Sequence, residues 1–261
     1  MTRFRFNAWA ILLASAPILA QPPDPSAAHG SAAAAQEREV SWKKIFPNFL
    51  DDQKHIWLFP SQVALGYHLV PTAAVLGASA GLTVADPIEG RYFRANSETY
   101  HNFNQVFNGT ATAAEILAVP VAFYLVGRMR KDSYAEHTAL LSGQAVADVE
   151  IPNFILRTSM RRLRPADVPI NGNFSDTWFD AGTNPLKAKG SFPSGHAASA
   201  FAVATVVARR YSHRRWVPYV AYGTAGLLAF SRVSTGAHFL SDTFFGGALG
   251  YAVGRFVVLR Q

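Results

Sequence analysis

The sequence predicts an all-α protein built from six helices, either embedded in a membrane or exported. Three observations carry that prediction. Apolar segments at 62–85, 110–127, 134–157, 196–210, 216–230 and 239–258 are rich in Ala, Leu and Val and are too long for strands. None of them sustains the alternation of period two that a half-buried strand requires. Glycine and proline punctuate the gaps, as in Pro185 to Gly190 and Pro193 to Gly195.

Two segments precede the helices. Residues 1–20 begin with Arg3 and Arg5, continue as an apolar run from Ala8 to Ala20 and end in small residues, the pattern of a secretory signal peptide. That run of about 13 residues is shorter than the roughly 20 needed to cross a bilayer, which favours cleavage after Ala20 over anchoring. Residues 21–39 open with a stretch rich in Ala, Pro and Ser and read as a flexible linker, so one folded domain is expected over 40–261. Within it, Pro152 lies inside the third segment, and Pro165 is expected to stop the helix that continues from it. The fourth segment is short for a membrane span.

Composition narrows the chemistry. With 261 residues, 49% hydrophobic and 16% charged, the chain holds enough apolar material for one core and is not disordered. A mean hydropathy of +0.08 leaves both solvent and lipid open as surroundings. The absence of Cys excludes disulfides, thiolate metal sites and cysteine nucleophiles. A net charge of +7 suits nucleic acid, an anionic membrane surface or a phosphorylated substrate. Much of that charge sits at helix ends, namely Arg128, Arg130 and Lys131, then Arg209, Arg210, Arg214 and Arg215, then Arg255 and Arg260, which argues against nucleic acid. If those ends are cytoplasmic, the motifs described next face the opposite, periplasmic side. Six full spans conflict with a cleaved signal peptide, so either 62–85 does not cross completely or the helices form a soluble exported domain. Both alternatives place the chemistry outside the cytoplasm.

Three clusters combine phosphate-binding or proton-transfer residues with helix boundaries. Arg157 to Pro165 reads R-T-S-M-R-R-L-R-P; on a helix running to Pro165, Arg157 and Arg164 share one face about 10.5 Å apart along the axis. Taken alone, this cluster also reads as a solvated or headgroup-facing basic helix end. Next, Ser191-Phe-Pro-Ser194-Gly195-His196 precedes the apolar run Ala197 to Ala208, where Gly195 permits close backbone approach and the helix N-terminus offers amides to an anion. Its plainer reading is an N-cap serine with a nearby histidine. The third cluster is Ser231-Arg232, five residues, His238, three residues and Asp242. On a helix the last two stand at i and i+4, so the carboxylate can accept the imidazole N–H and raise the basicity of the other nitrogen. Without that carboxylate, a lone helical histidine is usually a packing residue. Between the first two clusters, Ala166 to Phe192 is long enough for a lid, with Trp178, Phe179 and Lys187 in it, or for an ordinary surface loop. Glu150 stands seven residues before Arg157, either pairing with it or solvating the helix.

Together, K/R-x6-R-P, P-S-G-H and S-R-x5-H-x3-D, in this order, resemble the type 2 phosphatidic acid phosphatase family, also called the acid phosphatase and vanadium haloperoxidase superfamily. The resemblance covers roughly residues 110–258, and Arg157 stands where the family usually has Lys. It implies a six-helix bundle of that family's kind. It further implies that Arg157, Arg164 and Arg232, helped by Ser194 and the Gly195 amide, hold the phosphoryl oxygens. By the same resemblance His238 attacks phosphorus, Asp242 orients it and His196 protonates the leaving oxygen. The implied activity is metal-independent hydrolysis of a phosphomonoester or lipid (pyro)phosphate, with no cofactor and no nucleic acid as partner. The alternatives are a vanadate-dependent haloperoxidase, in which His238 binds vanadium, and a non-catalytic phosphate- or lipid-binding protein.

Overall fold

The computed structural model describes residues 38–107, 109–182 and 190–260. The expected signal peptide, the linker up to residue 37, and Lys187 lie outside the described residues. Among the described residues the secondary structure is helical, without strands. Seven helices of thirteen residues or more form the framework: α1 (Ile45–Ala64), α2 (Leu69–Ala95), α3 (Gly109–Arg130), α4 (Ser133–Met160), α5 (Gly195–Arg210), α6 (Trp216–Ser234) and α7 (Leu240–Ala252). A six-residue helix, His101–Val106, lies between α2 and α3, and α7 runs on into a π-helical turn at Val253–Val258.

The six expected segments correspond to α2 through α7; α2 runs on to Ala95, past the expected end at 85, and two further boundaries differ. Segment 62–85 begins inside α1, a helix not anticipated because its apolar residues are interrupted by Asp51-Asp-Gln-Lys-His55 and by Pro47 and Pro60. The break from α2 falls at Gly66 and His68, whose φ of 93° and 57° are left-handed and incompatible with continuing the helix. The second difference is that α4 ends at Met160, short of Pro165. Arg161 takes the left-handed C-cap conformation, φ 41°, and Arg164 is extended, as a residue preceding proline prefers. Arg157 and Arg164 therefore do not share a helix face.

Helix α5 is the centre of the bundle and packs against α4, α6 and α7. Its contact with α7 depends on missing side chains. Gly246, Gly250 and Gly254 recur every four residues and face the backbone carbonyls of Ser194, Ala198 and Ala202, so that any Cβ on these glycines would crowd those oxygens. Small residues at this spacing let two helix backbones close to van der Waals contact. This approach sets Asp242, in the first turn of α7, beside the start of α5, where Ser194 N–H donates to the Asp242 carbonyl at 3.1 Å.

The bundle has two unlike ends. Arg210, at the C-terminus of α5, donates to Thr138 Oγ1 near the start of α4 at 2.8 Å, so α4 and α5 run antiparallel. That end collects Arg128, Arg130, Arg209 and Arg210 from the last turns of α3 and α5. The other end collects the last turn of α4, the first of α5, the last of α6 and the first of α7, which are the places of the three motifs.

Candidate active site

A pocket of about 280 Å³ opens at the motif end, lined by Arg157, Arg164, Gly195, His196, His238, Glu150 and Ser199, with Ala113, Ile116, Leu117 and Val146 forming an apolar side. Arg157 and Arg164 reach it by a route different from the expected one. Arg157 projects from the last turn of α4, and Arg164 comes from the extended segment after the chain reverses at Arg161. Arg232, in the last turn of α6, is buried, with its Nε donating to Ser231 Oγ at 3.0 Å. Each of the three guanidiniums keeps a buried nitrogen without a hydrogen-bond acceptor: Arg157 Nε, Arg164 Nε and Arg232 Nη2. Arg157 and Arg164 line the pocket, whereas Arg232 is outside its lining, near Arg164 and His196. A buried unsatisfied donor costs about 1–3 kcal/mol, more when charged, so the two lining guanidiniums favour an acceptor in the pocket.

Gly195 leaves room for two side-chain ends of the site. A Cβ would stand 2.6 Å from Arg157 Nη2 and 2.7 Å from Asn153 Nδ2. Ser194 caps α5, accepting the Ala197 N–H at 3.4 Å, and is fully buried outside the pocket lining. Glu150 settles into the pairing alternative: it accepts from Ser199 Oγ at 2.7 Å and from Asn153 at 3.2 Å, and it faces Arg157 Nη2 at 3.9 Å. His196 donates from Nε2 to the Gly109 carbonyl at 3.1 Å, which leaves Nδ1 as its second functional nitrogen.

His238 lies in the turn between α6 and α7, ahead of the helix rather than on it. The expected bond from its imidazole to Asp242 is absent, since Nδ1 and Oδ2 are 4.0 Å apart. Nδ1 instead meets the Ser191 carbonyl at 2.6 Å, and because a carbonyl can only accept, Nδ1 carries the proton and Nε2 keeps its lone pair. Burial, with Arg164 close by, pushes the imidazole well below its ordinary value, so it is neutral at physiological pH. Asp242 acts one step removed. It accepts from Phe239 N–H at 2.9 Å, from Arg162 Nη1 at 2.6 Å and from the Ser191 hydroxyl, and Ser191 in turn holds the imidazole.

The sequence assigns no role to Arg162 or Asp86, and it names Ser191 only as the first residue of the second cluster. Arg162 is 1% exposed and lies within the six-residue interval of the first motif, where spacing alone does not distinguish it from Arg161. Asp86 stands 76 residues away in an apolar helix, and a fully buried carboxylate in such a helix is itself a signal of function. In the connection between the first two clusters, the Trp178 ring stacks on the Arg162 guanidinium at 4.3 Å and contacts Phe192 at 5.2 Å.

Residues 137–261 match the PAP2 superfamily. A lipid A 1-phosphatase of Porphyromonas gingivalis is 40% identical over 69 residues, 26% of this chain and 16% of that protein. The chain thus spans a small fraction of that relative's length. The crystal structure of a transmembrane PAP2 type phosphatidylglycerolphosphate phosphatase from Bacillus subtilis is similar at 20% identity, with a TM-score of 0.43, over 82% of this chain and 92% of that one.

Proposed function

We propose that this protein is a phosphatase that hydrolyses a lipid phosphate through a phosphohistidine, at the end of the bundle away from the basic helix termini. The observation that carries the reading is the convergence in one pocket of Arg157 and Arg164, each with an unsatisfied buried donor, on a histidine whose Nε2 lone pair is free, with Arg232 buried near Arg164. In the first step Nε2 of His238 attacks phosphorus, the ester P–O bond breaks, and His196, as the imidazolium with its Nε2–H on the Gly109 carbonyl, gives the Nδ1 proton to the leaving oxygen. In the second step water attacks the phosphohistidine, the N–P bond breaks and inorganic phosphate leaves. The arginines offset the charge on the equatorial oxygens, so the reading needs no divalent cation.

The lipid substrate is supported by the apolar side of the pocket, formed by Ala113, Ile116, Leu117 and Val146, and by the name of the lipid A 1-phosphatase relative. Two stretches, Leu69–Ala95 and Ser97–Arg130, are long and apolar enough to cross a membrane. With Arg128, Arg130, Arg209 and Arg210 at the cytoplasmic end, the pocket faces the periplasm. The deciding experiment compares p-nitrophenyl phosphate with an alkyl phosphate in EDTA and traps an acid-labile phosphoenzyme. His238→Ala is expected to lose turnover and the trapped label, and His196→Ala to retain activity only with the good leaving group. A label that survives in His238→Ala would place the nucleophile elsewhere.

A further inference from the structure

The first amides of α7 are held by carboxylates from α2, a helix outside the matched residues 137–261. Leu240 N–H donates to Glu89 Oε1 at 2.8 Å and Ser241 N–H to Asp86 Oδ1 at 3.2 Å, while Phe239 N–H goes to Asp242 within α7 itself. His238 is the residue immediately before this capped terminus. The approach of α2 is close: a Cβ on Gly90, one turn beyond Asp86, would stand 2.9 Å from Phe239 Cε1.

Asp86 is fully buried and also accepts from the Ser241 hydroxyl and from Arg162 Nη2, the latter at 2.7 Å. Arg162 divides its guanidinium between Asp86 and Asp242 and lies over the Phe239 ring at 4.1 Å. Its backbone carbonyl accepts the Ser191 N–H at 2.7 Å. Ser191 is therefore fixed from both sides, its backbone by Arg162 and its hydroxyl by Asp242, and its carbonyl holds His238 Nδ1.

From this chain of contacts we infer that Asp86 is a positioning residue for His238, acting through Arg162, Asp242 and Ser191, with Glu89 supporting it at the α7 terminus. The inference rests on the phosphatase reading and extends the working unit into α2. Asn at position 86 removes one of the two charges that balance Arg162, and its amide presents donors to a guanidinium that needs acceptors. The guanidinium is then drawn toward Asp242, and Ser191 and the imidazole shift with it. Phosphate binding survives, because Arg157 and Arg164 line the pocket independently of this network.

The test uses the purified full chain and measures kcat, KM and inhibition by inorganic phosphate. Asp86→Asn is expected to lower kcat about 10- to 100-fold with KM and the phosphate inhibition constant within about threefold, and Glu89→Gln to lower kcat a few-fold. In an Arg162→Gln background, Asp86→Asn should cost little more, since both act along one path. Unchanged kcat in folded Asp86→Asn, a matching rise in the phosphate inhibition constant, or multiplicative losses in the double variant would overturn the inference. If Asp86→Asn does not fold, Ser241→Ala keeps both charges and carries the test: a drop in kcat alone supports the inference and an unchanged kcat overturns it. A wild type inactive on phosphate esters, with no trapped label, marks instead the failure of the phosphatase reading and takes the inference with it.

Discussion

Helices α2 and α5 have similar apolar composition and opposite surroundings. From Ala197 to Ala208 every residue of α5 except Phe201 is buried by protein, whereas α2 buries only Ser79, Asp86 and Gly90 and exposes Leu69, Val70, Leu76, Val84 and Ile88. In α5 the apolar residues make the core. In α2 the buried residues are polar or small, the apolar ones named face outward, and the approach to the start of α7 is made through two carboxylates and a glycine. An outward apolar face with an inward polar one suits a helix solvated by lipid.

The largest effect is expected where α5 is most tightly enclosed. Gly250→Ala drives a Cβ into the Ala198 carbonyl, a backbone atom that no rotamer change can move, and should cost about 3 kcal/mol or abolish folding. Gly77→Ala in α2 meets no atom within 4 Å and should be neutral or stabilising by up to about 1 kcal/mol. Denaturant melts of the two variants check the contrast, and comparable losses would break it. Next in size, Val84→Asp with Ile88→Asp, at positions 80% and 76% exposed, should reduce recovery in the membrane fraction. Each carboxylate costs roughly 2.5–3.5 kcal/mol at the centre of a span. Undiminished recovery after a carbonate wash would mean that the face meets water or protein.

The site sharpens the comparison through pH. His238 is enclosed by protein, and burial together with Arg164 lowers its pKa, so the nucleophile stays neutral as pH falls through 6.5. The acid limb of kcat/KM should therefore lie below pH 6.5, falling up to about tenfold per pH unit. The alkaline limb belongs to His196, which must be imidazolium to act as the acid. Burial and Arg232 hold it below its ordinary value, so this limb also starts below pH 6.5 and should vanish in His196→Ala with p-nitrophenyl phosphate. An acid limb above pH 6.5 would count against a neutral His238. The smallest effect is expected for Arg157→Lys, which keeps the charge beside Glu150 and should hold activity within about tenfold. A larger loss in a folded variant would show that Arg157 works through its planar fork.

Much of the site was legible in the sequence because the relevant signals are local. Pro-Ser-Gly-His before an apolar run marks a helix N-terminus, and α5 begins there with Ser194 as its cap. Asp242 was legible as a partner of His238 but not in the way it acts, because the spacing of four residues implies a bond only if both lie on a helix. His238 sits before the first turn, and the Ser191 carbonyl takes its N–H. Glu150 was visible as a neighbour of Arg157, and only the structure decided for pairing over solvation.

By itself the sequence determined the all-helical class, the places of six helices and the order of the three motifs, since periodicity and punctuation are properties of the chain read along its length. Tertiary structure decided how the charges meet. Arg157 and Arg164 converge because α4 stops at a left-handed Arg161 and the chain turns back, not because they share a face. Arg162 stands between Asp86 and Asp242 because α2 and α7 approach at Gly90 and Phe239, a contact between residues far apart in the chain. A buried guanidinium needs whichever carboxylates packing brings near, and no spacing rule encodes a partner supplied by another helix.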